Sequence, residues 1–221
     1  MGGFKFKTRS SSLSLLLLLI SLTTPVLFMH VCIGATIVEA KEVTLTLTPK
    51  TTEFIKNSCG VTMYPKLCYK SLSAYASSIN KSPAQLANVA LSVSLTCARS
   101  TSTFVLQLSK RGNLKPREAA AVRDCVENIG DSVSELQESL EEMRHLRGGG
   151  FEFNHKMTDI QTWVSAALTN EDTCMDGFEG DDEANGSSVK NMVRSNIKNV
   201  AQLTSNALSL INCLSKVPKA P

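Results

Sequence analysis

The stretch VRDCVENIGDSVSELQESLEEM, residues 122–143, decides the fold class of this chain. Its apolar side chains recur at alternating intervals of four and three residues. They are Val122, Val126, Ile129, Val133, Leu136, Leu140 and Met143. Such an alternation forms a seam along one face of an α-helix that packs nearly parallel to its neighbours. The stretch therefore predicts a long helix inside a bundle.

Three further segments of similar length show helical spacing, and two shorter ones precede them. Ser82 followed by Pro83 is typical of a helix start, and Pro116 opens the helix that carries the seam. The long helices are expected over residues 83–110, 116–147, 154–176 and 188–214, and the short ones over 51–58 and 64–77. The pattern predicts an all-α protein, an up-down-up-down four-helix bundle preceded by an N-terminal helical hairpin and stapled by disulfides.

The first forty residues have the composition of a secretory signal. Three basic residues precede an apolar stretch over residues 13–33, and small residues lead up to Ala40. Cleavage after Ala40 is expected, although the apolar stretch is long enough to serve instead as an uncleaved membrane anchor. The remaining chain is predicted to consist of a tail (41–50), the helical domain (51–214, with the hairpin at 51–78 and the bundle at 82–214) and a C-terminal tail (215–221).

Charge and hydropathy exclude several classes of partner. Removing the signal takes away three basic residues and one acidic residue, so the formal net charge falls from +3 to +1. A nearly neutral chain with interspersed charges lacks the basic footprint of a nucleic-acid-binding protein. No later apolar run approaches the length of about 20 residues that spans a bilayer. We therefore expect an exported protein that binds no nucleic acid and, after signal removal, no membrane.

Six cysteines remain after cleavage. Their positions in the sequence allow us to compare their heights along neighbouring helices. Each helical residue advances about 1.5 Å along the axis. Cys125 lies 24 residues before Gly149 and Cys174 lies 25 residues after it, so the two cysteines stand at nearly the same height on adjacent antiparallel helices. Pairing Cys125 with Cys97 about the turn near Asn113 leaves a mismatch of roughly 6 Å. The spacing therefore favours a disulfide between Cys125 and Cys174.

The other cysteines divide into one pair and two single thiols. Cys59 and Cys68 flank the turn of the hairpin and can staple its two helices. Cys97 and Cys213 would stand more than ten residues apart in height, so both are expected to be free and largely buried. The alternative is a disulfide-linked dimer through Cys213.

Motifs of enzymes and metal proteins are absent from the sequence. It contains no nucleophile elbow, no phosphate-binding glycine loop and no zinc-protease motif. His145 and His155 flank a glycine turn, but two imidazoles without a third ligand make a weak metal site. The sequence therefore predicts a binding protein with no metal and no cofactor. Asn185 and Asn80 begin N-glycosylation sequons, of which the first lies in a polar loop.

Two longer motifs resemble those of the plant invertase/pectin methylesterase inhibitor family. They are VRDCVE at 122–127, continuing into DSVSEL at 131–136, and WVSAALTNEDTCMDGF at 163–178. The spacing of Cys59 and Cys68 and the position of Cys213 are also similar to the cysteine layout of the family, whereas Cys97 departs from it. The resemblance covers about residues 51–214 and implies a four-helix bundle with Cys59–Cys68 and Cys125–Cys174 disulfides.

The resemblance also implies a function as an enzyme inhibitor rather than an enzyme. One branch of the family inhibits pectin methylesterase by forming a 1:1 complex over its pectin-binding cleft, and the other inhibits acid invertase. The second branch often carries Pro-Lys-Phe, for which this chain has only Pro65-Lys66-Leu67. The 165–178 run is more similar to the methylesterase branch, and the chain ends without an enzyme domain. We therefore expect a free-standing, secreted inhibitor of pectin methylesterase in the plant cell wall, with acid invertase as the alternative target.

The residue carried over as a partner contact is Thr173, immediately before Cys174. Its neighbours Asn170, Glu171 and Asp172 are expected to add hydrogen bonds at the same end of the helix. A surface threonine bonded to its own helix backbone is the competing interpretation of Thr173. Two further alternatives for the whole chain are a structural or signalling bundle that binds another wall protein and a hydrolase with an unrecognised site.

Overall fold

The protein is described by a computed structural model over residues 49–179 and 188–216. These ranges contain helices and turns but no strand, which confirms the all-α class. In chain order the elements are α1 (Pro49–Cys59), α2 (Pro65–Leu72), a 3-10 turn (Ser73–Tyr75), α3 (Ala76–Ile79), α4 (Pro83–Ser109), α5 (Pro116–Arg144), α6 (Phe151–Asp176) and α7 (Ser188–Ser215).

The four long helices form a ring around one apolar core. α5 packs against α4 and α6, and α7 packs against the same two helices from the other side. Hydrogen bonds from Gln161 to Asn212 and from Thr204 to Glu171 show that α6 and α7 run in opposite directions. The arrangement is the predicted up-down-up-down bundle. Among the described helices, α4 alone is long and apolar enough in composition to cross a bilayer, and its packing between α5 and α7 makes it a wall of the bundle.

The helix starts follow local chemistry that the sequence shows. Ser82 caps α4 by accepting the backbone N–H of Gln85 at 3.3 Å, and Pro83 occupies the first turn. α6 begins at Phe151, three residues before the predicted start at Asn154. The reason is the backbone bond from Asn154 N to Gly150 O (3.1 Å), which closes a helical turn directly after a glycine with φ of 85°.

The seam of α5 is rotated relative to the prediction. Val126 and Val133 are only half-buried, whereas the smaller side chains of Cys125 and Ser132 are fully buried in their place. Contacts from α6 cause the rotation, because Cys125 forms a disulfide and the Ser132 hydroxyl donates a hydrogen bond across to Glu171. The period of the seam is therefore as predicted, but its centre lies about one residue away.

The two helices of the hairpin, α1 and α2, are bonded to each other, and the hairpin is also bonded to the bundle. Within it, Cys59 is bonded to Cys68. Toward the bundle, the backbone N–H of Tyr64 donates to Asn206 Oδ1 (3.0 Å) and Asn206 Nδ2 donates to Tyr64 O (3.1 Å). The second hairpin helix, predicted as continuous to Ser77, is interrupted by the 3-10 turn. The Ser71 hydroxyl donates to a carbonyl three residues back, a bond that competes with regular helical pairing.

The cysteines form the two pairs that the sequence predicts, and the remaining two differ in exposure. Cys125 and Cys174 are bonded with Cα atoms 4.3 Å apart, and both are buried. Cys97 is buried and belongs to neither disulfide, as expected, and its Sγ accepts a hydrogen bond from Asn199 Nδ2 at 3.4 Å. The predicted burial of Cys213 is wrong, because Leu210 and Leu214 take the inward positions of α7 and turn Cys213 to the solvent.

Removing the bridge between α5 and α6 tests its contribution to stability. Cys174→Ser opens a loop of 49 residues, and loop-closure entropy predicts a loss of about 4 kcal/mol in the free energy of unfolding. The measurement is urea unfolding under oxidising conditions. Cys213→Ser is the control, since it removes an exposed free thiol and should leave the midpoint unchanged. Equal midpoints for the Cys174→Ser chain and the wild type would contradict the assignment of a stabilising bridge.

Candidate protein-binding site on α6

The four residues predicted to contact a partner lie in the last two turns of α6, but they do not share one face. Successive helical residues point about 100° apart. Asp172 and Thr173 are exposed, Asn170 is half-buried, and Glu171 has no exposed surface. Glu171 is therefore removed from the predicted contact set, because a side chain enclosed in the core cannot touch a partner.

Glu171 occupies a core position of the α6 stripe. The buried residues of this helix recur at intervals of four and three, and Glu171 falls in that series. They are Phe153, Met157, Ile160, Val164, Ala167, Glu171 and Cys174. The same spacing is visible in the sequence. Extending the apolar stripe through the charged residue at position 171 would have predicted that Glu171 is buried.

Three helices meet at the Glu171 carboxyl group. Ser132 Oγ on α5 donates to Glu171 Oε1 at 2.8 Å, and Thr204 Oγ1 on α7 donates to the same oxygen at 2.9 Å. Glu171 Oε2 has no hydrogen-bond partner among the described residues. Burial raises the pKa of Glu171 to about 8, although both hydroxyl donors act in the opposite direction. The group is therefore a neutral carboxylic acid at neutral and acidic pH.

Thr173 is exposed and directly precedes Cys174, one end of the bridge between α5 and α6. Its hydroxyl donates to Thr169 O at 2.8 Å, the bond expected for an ordinary helix-surface threonine. The donated bond occupies the hydroxyl hydrogen but leaves lone pairs of the oxygen free to accept from a partner. The adjacent disulfide of Cys174 holds this part of α6 to α5, so the position of Thr173 is set by the covalent link.

Asn170 connects the candidate site to α5. Its Nδ2 donates to Glu135 Oε2 at 3.0 Å. Burial raises the pKa of Glu135, and the bond from Asn170 partly opposes that rise. Since the Asn170 amide is already engaged within the protein, its part in binding a partner is limited to the surface that it leaves half-exposed.

The surface formed by α5 and α6 is acidic. These two helices carry thirteen Asp and Glu residues and four Lys and Arg residues, so they hold most of the twenty acidic residues of the chain. Asp172 and Asp176 lie within one turn of Thr173 and are both exposed. A partner that binds here is expected to present basic or hydrogen-bond-donating groups.

The two histidines near the α5–α6 turn face separate carboxylates. His145 Nε2 lies 3.0 Å from Glu141 Oε1, and His155 Nδ1 lies 3.1 Å from Asp159 Oδ2. Each acid belongs to the same helical segment as its histidine, and the pairs are exposed. Within residues 49–179 and 188–216, no group of three potential metal-ligating side chains occurs.

Asn206 attaches the hairpin to α7, a role that was not predicted from the sequence. It is 3% exposed and holds the backbone of the hairpin loop through both ends of its amide. The available signal is a polar residue next to Leu203 and Ala207 in the apolar stripe of α7. Of the two sequon residues, Asn80 is exposed at the end of α3, and Asn185 lies outside the described residues.

Comparison with known proteins assigns the family. The family model of the plant invertase/pectin methylesterase inhibitors matches residues 53–210, which is more than half of the chain. The chain belongs to this family. The family is named for enzyme inhibitors rather than for enzymes.

Two relatives within the inhibitor family are similar over most of the described chain. Pectinesterase inhibitor 10 of Arabidopsis thaliana is 50% identical over 161 residues, which make up 72% of this chain and 50% of that protein. Pectinesterase inhibitor 11 of the same plant is 47% identical over 165 residues, 74% of this chain and 81% of that protein. The chain thus spans half the length of one relative and about four fifths of the other.

A solved structure supports the bundle architecture of this family member. The crystal structure of mutant form A of a pectin methylesterase inhibitor from Arabidopsis superimposes with a TM-score of 0.57. The match covers 75% of this chain and 98% of that chain, at 23% sequence identity. At this identity the likeness concerns the fold alone.

The buried carboxyl group predicts a pH-dependent stability for this inhibitor-family bundle. In the unfolded chain Glu171 ionises near its ordinary pKa of 4.5, whereas the folded protein keeps the proton up to a pKa of about 8. Between these values the folded state binds up to one proton more, so the free energy of unfolding falls as pH rises, by roughly 1 kcal/mol per pH unit. The contribution is fully present below pH 4.5 and lost by pH 8.

Glu171→Gln tests this dependence because glutamine has nearly the same shape and cannot ionise. The measurement is the urea midpoint at several pH values from 4.5 to 8, where the variant should lose most of the slope seen in the wild type. Glu138→Gln is the matched control, since it removes an exposed carboxylate from α5. An unchanged slope in the Glu171→Gln chain would show that Glu171 does not titrate in this range.

Proposed function

We propose that this chain is a protein inhibitor of pectin methylesterase. The single observation that carries the proposal is the similarity to Pectinesterase inhibitor 10, at 50% identity over 161 residues. The family match over residues 53–210 includes the α5–α6 pair and its disulfide, the part of the bundle that carries the candidate binding surface. The name of Pectinesterase inhibitor 11, at 47% identity, supports the same target.

The proposed mode of inhibition is steric, through a stoichiometric 1:1 complex that covers the pectin-binding cleft of the enzyme. A disulfide-linked pair of long helices supports this mode, because a rigid surface loses little conformational entropy when it binds. Thr173 and Asp172 are the proposed contacts from α6, with Asn170 at their edge. Glu171 acts inside the bundle, where it joins α5, α6 and α7.

The proposed location is outside the cell, in the plant cell wall. The signal-like residues 1–40 support export, and the two disulfides are typical of an oxidising compartment. The domain boundaries proposed from the sequence place the inhibitor domain at 51–214, and α1 begins two residues earlier at Pro49. Glycosylation of Asn185 and Asn80 is compatible with export, and Asn80 is exposed.

Parallel inhibition assays test the target. The chain from Lys41 to Pro221 is titrated against a plant pectin methylesterase, followed by methanol release, and against an acid invertase, followed by glucose release. We expect methanol release to fall to an endpoint at one inhibitor per enzyme and glucose release to stay unchanged. The opposite pattern would assign the chain to invertase, and activity of both enzymes at saturating inhibitor would contradict the proposed function.

Thr173→Lys tests the contact surface. A lysine in place of an interface threonine adds bulk and charge, and we expect inhibition to weaken by about tenfold or more. Thr162→Lys is the matched control, because Thr162 is exposed on the same helix with the same hydroxyl-to-carbonyl bond, eleven residues away. Helical circular dichroism should be unchanged in both variants. Equal inhibition by the Thr173→Lys and wild-type chains would remove Thr173 from the interface.

A further inference from the structure

The segment that comprises the hairpin and the residues on either side of it, 49–81, has a composition unlike that of the bundle. Residues 49–81 contain five lysines, and Glu53 is their one acidic residue. The same segment contains all three tyrosines of the chain. The lysines are exposed, and none of them forms an ion pair with a described residue. Basic and aromatic side chains are thus concentrated in a small part of the surface.

Helix α2 places part of this set on one face. Lys66, Tyr69, Lys70 and Ser73 are spaced so that they follow one another along the same side of the helix. The opposite side carries Cys68 and Leu72, which are buried. Lys66 and Lys70 are exposed and Tyr69 is half-buried, so two ammonium groups flank an accessible phenol ring. We call the face of Lys66, Tyr69 and Lys70 the α2 surface.

The support beneath the α2 surface is rigid. The Cys59–Cys68 disulfide closes the hairpin, and the buried Asn206 amide holds the backbone of Tyr64 through two hydrogen bonds. Thr62 Oγ1 donates to Cys59 O at 2.9 Å inside the same loop. A surface held in this way is organised before any partner arrives, which reduces the entropy cost of binding.

The helices beneath the hairpin leave its positive charge uncompensated. α2 packs against α4 and α7. Neither helix contains an Asp or Glu residue: the one charged residue of α4 is Arg99, and the charged residues of α7 are Lys190, Arg194 and Lys198. The acidic residues are concentrated instead on α5 and α6. The hairpin therefore attracts anions, and no carboxylate of its supporting helices competes for its lysines.

From this arrangement we propose that the α2 surface binds an acidic polysaccharide, a run of uronic acid residues such as de-esterified homogalacturonan. Lysine ammonium groups pair with the ring carboxylates, and the tyrosine ring offers an apolar face to the C–H groups of a sugar. The choice of a galacturonate polymer rests on the proposed function, since this polymer is what pectin methylesterase leaves behind. The surface lies on the hairpin, whereas the proposed enzyme contact lies on α6.

Such binding would retain the inhibitor where its target has already acted. The pKa of a uronic acid carboxyl group lies in the ordinary range of carboxylic acids. The polymer therefore gains negative charge as methyl esters are removed. Fully methylesterified homogalacturonan has the same backbone without that charge. The proposal therefore requires a preference for the de-esterified polymer and a weakening of binding at high salt.

The test is binding of the Lys41–Pro221 chain to immobilised polygalacturonate, with fully methylesterified homogalacturonan and dextran sulfate as comparison polymers. We expect binding to polygalacturonate in preference to both. The double variant Lys66→Gln/Lys70→Gln should weaken it at least about fivefold, the effect of losing two exposed ion pairs. The matched control is Arg194→Gln/Lys198→Gln, an exposed pair on α7 with the same spacing and charge change. The control should retain binding within about twofold, because Arg194 and Lys198 lie on α7, outside the α2 surface.

Inhibition of pectin methylesterase is measured on the same samples with a short uncharged ester substrate, so that the two proposals are tested separately. We expect unchanged inhibition by the Lys66→Gln/Lys70→Gln chain. A wild-type chain that binds polygalacturonate but does not inhibit pectin methylesterase would overturn the proposed function and leave this proposal standing. Equal weakening by both double variants, equal binding to dextran sulfate, or no binding by the wild type would overturn the α2 surface as a polyuronide site. Self-association through the hairpin, detected by sedimentation velocity and abolished by Lys66→Gln/Lys70→Gln, would overturn it in favour of a second copy as the occupant.

Discussion

The packing of α5 against α6 is the constraint on which the rest of the structure depends. These helices make the most extensive interhelical contact in the bundle, and the Cys125–Cys174 disulfide fixes their relative height. Glu171 lies one turn from Cys174 on α6, and its buried carboxyl group accepts hydrogen bonds from Ser132 on α5, two turns from Cys125, and from Thr204 on α7. A covalent link and a polar junction thus define one register, and the apolar seams of the other helices follow it. A polar group in a core can specify such a register because a shifted alignment would leave it unpaired.

The polar junction at Glu171 joins three helices and makes the stability of the bundle depend on pH. Its carboxyl group is enclosed by three helices and stays neutral up to a pKa of about 8. An ionised carboxylate at the same place would have only two hydroxyl donors, both on one of its oxygens. Because the free energy of unfolding falls as pH rises between 4.5 and about 8, the bundle is most stable in acidic surroundings. The exposed residues of α6 are presented to a partner by the same segment that holds Glu171.

The surface of the molecule is divided by charge. α5 and α6 carry most of the acidic residues, while residues 49–81, which contain the hairpin, carry five lysines and all the tyrosines. α4 and α7 lie beneath the hairpin without any carboxylate. Because opposite charges are kept on separate elements, the two faces can attract different partners at the same time. The proposed enzyme contact and the proposed polyuronide contact occupy these two faces.

Sequence by itself determined the class of fold, the number and order of the long helices and the cysteine pairing. Apolar periodicity, prolines and glycines act within a few residues of where they stand, and the heights of Cys125 and Cys174 follow from the constant rise of a helix. Tertiary structure alone decided which side of a stripe faces inward, as the rotated seam of α5 and the burial of Glu171 show. It also decided the exposure of Cys213 and the bond between Tyr64 and Asn206. These features depend on side chains of other helices, far away in the sequence. The sequence of a single helix does not specify the neighbours against which it packs.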